Sequence, residues 1–296
     1  MKTKSQRFTS INFSAVLGIL AILTGLTASA QDEDRTRMLW NTQFSAKRPA
    51  KKSAAAPPAA PAAQQKTAEP GDIGDSLVGV TIWNLRQSRS QDDPLTRIAE
   101  LGSQAQWTPV RIAADSVLSQ GQRIRVSLEV ARSGYLYVID REQYADGSLG
   151  KPFLIFPTLR IHGGNNEVTA GRVIEIPAQA DTPAYFTMKA SRPDHVAEML
   201  TVIVTPSPLD EVSIGREAIE LAPEQVVNWE KQWGAKVSRL EAKGQEGKSY
   251  TQAEKEAGTE RVRLLTHDEP LPQTMYHVEA QPGAPLLLSV PLRIAP

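Results

Sequence analysis

Between residues 122 and 130 the chain alternates without a break. Ile124, Val126, Leu128 and Val130 are apolar, and Arg123, Arg125, Ser127 and Glu129 between them are polar. A period of two sends each set to one face of an extended strand, so 122–130 predicts a half-buried antiparallel strand. Segments 77–85 and 108–112 carry the same signal more weakly. Apolar β-prone runs then recur at 135–140, 153–156, 173–176, 185–188, 199–205, 275–280 and 286–294, punctuated by Gly, Pro and Asn. This spacing predicts a mainly β fold, an antiparallel β-sandwich of immunoglobulin-like or open-barrel form. The last strand is expected to pair back into a sheet.

The pattern changes at Pro223. Val226, Trp233, Val237 and Leu240 recur at helical spacing, with Trp229 at the edge of the stripe. Glu230, Lys231, Lys236, Arg239 and Glu241 fill the other side. Pro223 suits a first helical turn and Gly244 a C-terminal cap, so an amphipathic helix is expected over 223–243. Thr251 and Glu254 fit a capping box for a second, short helix. Together they make a helical insertion at about 223–257, packed on the sandwich.

The stretch 133–158 reads as a hairpin. A buried strand, 135–140, leads into a polar connection with Asp146-Gly147, and Phe153–Phe156 returns. Asp-Gly between two apolar runs is a turn signal because Gly supplies positive φ.

Residues 1–30 have the layout of a signal peptide: Lys2, Lys4 and Arg7, an apolar run over 13–26, then Ala28-Ser29-Ala30. Cleavage near Ala30 would leave an extracytoplasmic protein, periplasmic or secreted, with no transmembrane segment. Residues 31–75 are rich in Ala and Pro and are expected to be a disordered linker with no core of its own. The folded domain is expected over 76–296. The chain contains no cysteine, which excludes disulfides, zinc–thiolate sites and lipid attachment at a cleavage-site cysteine. Lys plus Arg equals Asp plus Glu at 33 each, so charge does not point to nucleic acid.

In order along the chain stand Val78-Gly79-Val80-Thr81-Ile82-Trp83, Gly134-Tyr135-Leu136-Tyr137-Val138-Ile139-Asp140, Ala145-Asp146-Gly147, Ile155-Phe156-Pro157-Thr158 and Gly171-Arg172-Val173-Ile174-Glu175-Ile176-Pro177. This series resembles the bacterial family called domain of unknown function 4384, best over about 119–208. The resemblance implies an exported β module and brings no catalytic residues to carry over.

Chemistry is sparse. Asp140, Glu142 and Asp146 place three carboxylates on one hairpin. They read as turn residues before they read as a calcium site, since their spacing is not that of an EF-hand loop. His162, His195, His267 and His277 form no HExxH or His-x-His pair, and His195 is expected in a loop. No Gly-x-Ser-x-Gly or phosphate-loop sequence is present. Catalytic residues, metal ligands and cofactors are therefore not assigned. Loops 141–151 and 160–167 are the expected binding surfaces, with Asp140, Glu142, Tyr144, Asp146, His162 and Asn165 as candidate contacts. The leading expectation is a non-enzymatic module that binds a protein or an envelope component. A glycan-binding module, using Tyr144 or Trp83 beside Asn165 or Asn166, is the alternative. A hydrolase or metal enzyme is third, and it asks Asp140, Glu142, Asp146 and a histidine such as His162 to meet in one cleft.

Overall fold

The computed structural model describes residues 48–50, 76–99, 104–259 and 263–295; the side chain of His162 and the segment 1–47 lie outside the described residues. The alternating segment is a strand, and its apolar set is buried between two sheets. In chain order the strands are β1 (Leu77–Gln87), β2 (Ile98–Ala99), β3 (Gln106–Ile112), β4 (Val117–Leu118), β5 (Arg123–Val130), β6 (Gly134–Tyr144), β7 (Phe153–Phe156), β8 (Glu167–Val168), β9 (Val173–Ile176), β10 (Phe186–Thr187), β11 (His195–Thr205), β12 (Ile219–Glu220), β13 (Val237–Glu241), β14 (Thr274–Val278) and β15 (Leu286–Ile294). The helices are α1 (Pro223–Trp233) and α2 (Gln252–Thr259).

One sheet runs β10-β5-β1-β14-β13, with β9 against β5, β3 against β1 and β2 against β3. The other runs β12-β7-β6-β11-β15-β4, with β8 against β6. The long pairs are antiparallel, and the short β15–β4 pair is parallel. The architecture is an antiparallel sandwich with no closed barrel. Val78, Val80 and Ile82 of β1 face Val138, Val202 and Val290 of the second sheet across the core. No helix among the described residues is long and apolar enough to cross a membrane.

The predicted hairpin forms as β6 and β7. Gly147 takes φ 84° in its turn, and its N–H donates to the Tyr144 carbonyl at 2.9 Å. The strand, however, runs on to Tyr144. Asp140 and Glu142 therefore lie within paired strand and not in the turn.

The helix expected over 223–243 ends at Trp233. Val237 and Leu240 continue its stripe by spacing alone. They belong instead to β13, which pairs with β14 in five-residue register. Gly234 closes the helix by donating to Glu230 O at 2.9 Å and then turns to extended backbone. Cross-strand pairing outweighs a local period that fits either element. The insertion is thus helix, strand, helix. α1 docks on the outer face of the second sheet, burying Val226 and Trp229 against Tyr137, Ile139, Ile203 and Leu287. Trp233 stacks on Trp229 at 5.8 Å. The Thr251–Glu254 capping box opens α2 as expected: Thr251 N donates to Glu254 Oε2 at 2.9 Å and Glu254 N to Thr251 Oγ1 at 3.3 Å.

The polar face of β5 is not open to solvent. Arg125 and Glu129 are buried, because α2 and the segment 263–272 cover that face. Each carboxylate there meets an arginine: Glu175 with Arg125 at 2.8 Å, Glu129 with Arg48 at 2.7 Å, and Glu254 with Arg111. Trp83 Nε1 donates to Ser127 Oγ at 2.7 Å, and Arg111 lies 5.0 Å over the Trp83 ring. Tyr250 and Gln179 add hydrogen bonds to Glu175. α2 lies so close that a Cβ on Gly258 would sit 2.3 Å from the Glu175 carboxyl carbon. Buried charges are tolerated when each has its counter-charge and hydrogen bonds.

Candidate functional site

At one end of the core the apolar rows of β6 and β11 turn acidic. Leu136 and Val138 are followed on the same face by Asp140 and Glu142, and Val204, Val202 and Leu200 by Glu198. The register sets Glu142 opposite Glu198 and Asp140 opposite Leu200. Three carboxylates therefore converge at the rim of the sandwich core.

A β-bulge adds the histidine. His195 and Ala197 are two residues apart but face Tyr144 and Gln143, which are adjacent. Without the extra residue, period two would place His195 with Ala197, on the face away from Glu198. With it, the buried His195 ring comes to 4.0 Å from Glu142 Oε1 and 3.6 Å from Glu198 Oε1. One donor atom from each of Glu142, His195 and Glu198 lies within 4.8 Å of the others.

Charge is poorly compensated here. Among the described residues, the ion-pair contacts of these carboxylates run only to His195. Oδ1 of Asp140 and Oε2 of Glu198 are buried without a hydrogen-bond partner. Burial, then the charges of Glu198 and Glu142, push the Asp140 carboxyl up to about 8. Burial, then Glu142, push Glu198 up to about 7. Burial also pushes Glu142 upward, but hydrogen bonds from Tyr144 and Ser191 and the fields of His195 and Arg192 hold it below the usual range. The Tyr144 hydroxyl donates to Glu142 Oε2 at 2.6 Å.

The histidine is held by backbone. Ser191 N–H donates to Nδ1 at 3.2 Å, so the ring proton sits on Nε2 and faces Ala197 O at 3.0 Å. Both nitrogens are engaged, which leaves the carboxylates to supply ligand atoms. Glu142 and Glu198 supply carboxylate oxygens within this span, with Asp140 next along the same face of β6, and such oxygens suit a hard, oxygen-preferring cation with ligands at about 2.3–2.6 Å. Above the cluster Arg192 stacks on Tyr144 at 3.8 Å while its guanidinium pairs with Asp194. Ala145 N–H bonds Asp194 O at 2.8 Å, tying the hairpin turn to the 189–194 loop.

The structure thus brings together Asp140, Glu142 and Tyr144 from the sequence-derived candidates and adds His195 and Glu198. His195 opens β11, not a loop. Asp146 is exposed and accepts from Ser148 N and Oγ, closing its own turn. Asn165 is also exposed and accepts from Glu167 N at 3.0 Å. It lies two residues before Glu167, which pairs with Tyr135 at the other end of β6. That is about 24 Å along the strand from Glu142. The backbone of His162 belongs to the same distant turn. Asn166 is buried and donates to Leu136 O at 3.1 Å. Trp83 and Trp229 are buried, Trp107 and Trp233 half-buried, and no described tryptophan is exposed. The aromatic platform that glycan stacking asks for is not formed by them.

No family model, no curated protein and no solved structure matches this chain.

Proposed function

We propose that the protein is an extracytoplasmic, non-catalytic binding module that meets a protein or envelope partner at the acidic end of the sandwich, through a divalent cation of the calcium class. The resemblance to domain of unknown function 4384 and the signal-peptide layout support an exported binding role. One observation carries the cation: Asp140 Oδ1 and Glu198 Oε2 are buried without partners in a group of facing acids. Unpaired buried carboxylates weaken a fold, and a bound cation reverses that penalty. Asp140, Glu142 and Glu198 would be the ligands, with His195 holding the bulge in place. The hairpin turn and the 189–194 loop, which share the Ala145–Asp194 hydrogen bond, would present the bound ion to the partner.

Titration calorimetry of the full chain at pH 8 with calcium, magnesium and zinc chlorides tests this. One calcium site is expected, lost in Glu142→Gln and Glu198→Gln. Zinc binding without calcium binding would make His195 the dominant ligand and overturn the assignment.

A further inference from the structure

A second, independent site lies on the outer face of the first sheet and does not rest on the cation reading. Arg48 stands in the stretch expected to lack a core, and its side chain is fully enclosed in the domain. Nε donates to Glu129 Oε1 at 2.8 Å and Nη2 to Oε2 at 2.7 Å, the two-pronged geometry that a guanidinium makes with a carboxylate. Nη1 donates to the carbonyls of Thr266 and Glu269 at 3.2 Å each, and both terminal nitrogens reach Pro270 O at 3.3–3.4 Å. The wall that carries these carbonyls is braced from within: Thr266 N donates to Glu269 Oε2, and Arg263 pairs with Glu269, both at 2.7 Å. His267 Nε2 meets Arg48 O at 2.6 Å, and the next residues, Pro49 and Ala50, are exposed. The backbone bends at Arg48, which turns its side chain inward while Pro49 and Ala50 stay outside.

We propose that the Glu129 pocket is a recognition site for an arginine-bearing peptide, and that the segment around Arg48 is its resident ligand. The arrangement is that of a ligand in a site: one deeply inserted planar cation, matched by a carboxylate fork and a ring of carbonyls, with Pro49 and Ala50 exposed beyond it. A lysine has a point charge and no fork, so it does not satisfy the same set. A covalent spacer of the kind expected over 31–75 would give an effective concentration on the order of millimolar. The resident segment therefore holds the pocket against dilute competitors and yields to tight or concentrated ones.

The test uses the full chain with a site-specific protease sequence replacing residues 60–66. After cleavage, the fragment bearing Arg48 is expected to stay with the domain in gel filtration. A fluorescent peptide spanning 44–52 is expected to exchange into the cleaved protein. The Arg48→Lys peptide should bind at least ten-fold more weakly, and Glu129→Gln in the domain should weaken binding by a similar factor. Three results would overturn the proposal. The fragment could leave at once and the peptide fail to bind. The lysine peptide could bind equally well. The domain could unfold on cleavage, which would make Arg48 a part of the core and not a ligand.

Discussion

Two groups of half-buried or buried acids sit on opposite sides of this sandwich. On the outer face of the first sheet, Glu129, Glu175 and Glu254 each meet an arginine. At the end of the second sheet, Asp140, Glu142 and Glu198 face one another, and two of their oxygens have no partner. The first group is the more deeply buried, and burial pushes the Glu129 carboxyl upward even with Arg48 beside it; what separates the groups is that each acid of the first has an arginine as counter-charge. In the first, charge is spent on holding elements together: it joins β5 to β9, α2 and the 263–272 segment to β3, and Arg48 to β5. In the second, the carboxylates hold Tyr144 and one another, and among the described residues no arginine or lysine ion pair closes the set. An uncompensated group of that kind is where an external cation has most to gain.

Neutralising one acid in each group should therefore change stability with opposite sign. The largest effect is expected for Glu129→Gln, which leaves the Arg48 guanidinium buried without its carboxylate. A loss of about 3–5 kcal/mol in urea denaturation is expected. An unchanged midpoint would show that the Arg48 pair contributes nothing and would erase the contrast.

The converse case is Asp140→Asn in calcium-free buffer. The Asp140 and Glu198 carboxyls are pushed up to about 8 and about 7 in the folded state, against about 4 when unfolded. The folded protein therefore holds protons that the unfolded chain releases. This contribution is full below about pH 4, falls progressively as pH rises toward the folded values of about 7 and 8, and is gone above them. Asp140→Asn should flatten that slope and stabilise the protein at pH 9 by about 2–4 kcal/mol, a discounted fraction of what the shift implies. A destabilised variant at pH 9 would mean that Asp140 is compensated after all.

Smaller effects sharpen the boundary of the site. Asp146→Ala removes an exposed carboxylate whose partners are in its own turn, and should leave the urea midpoint close to that of the wild type. Its calcium titration should match that of the wild type. A lost calcium response would extend the site to the hairpin turn, where sequence spacing first placed it.

The difference between the two regions also marks what the sequence could reveal. The strands were legible because β5 and its neighbours alternate cleanly. Within the site, Asp140 and Glu142 could be named because they follow an apolar run on one strand. Glu198 and His195 could not, since their approach depends on the β6–β11 register and on a bulge that no local pattern marks. The covered polar face of β5 was hidden for a related reason: Arg125 and Glu129 read as solvent-facing until α2 and Arg48 are seen to lie on them. Arg48 itself stands beside an Ala/Pro-rich stretch, where composition speaks for a spacer and says nothing of one inserted side chain. The helix was overextended because Val237 and Leu240 fall in step with Val226 and Trp233, a coincidence only pairing with β14 could resolve.

The most direct test of the contrast is the thermal midpoint of the full chain between pH 5 and 9, with a chelator and with millimolar calcium, for wild type and Glu198→Gln. In chelator the wild-type midpoint is expected to fall from pH 5 to about pH 8 and to level off above it. Calcium should restore it by several degrees at pH 8, and by little at pH 5, where Asp140 and Glu198 hold protons. Glu198→Gln should show a shallower fall and little response to calcium. A midpoint that is flat with pH and indifferent to calcium would contradict the claim that these acids await a cation.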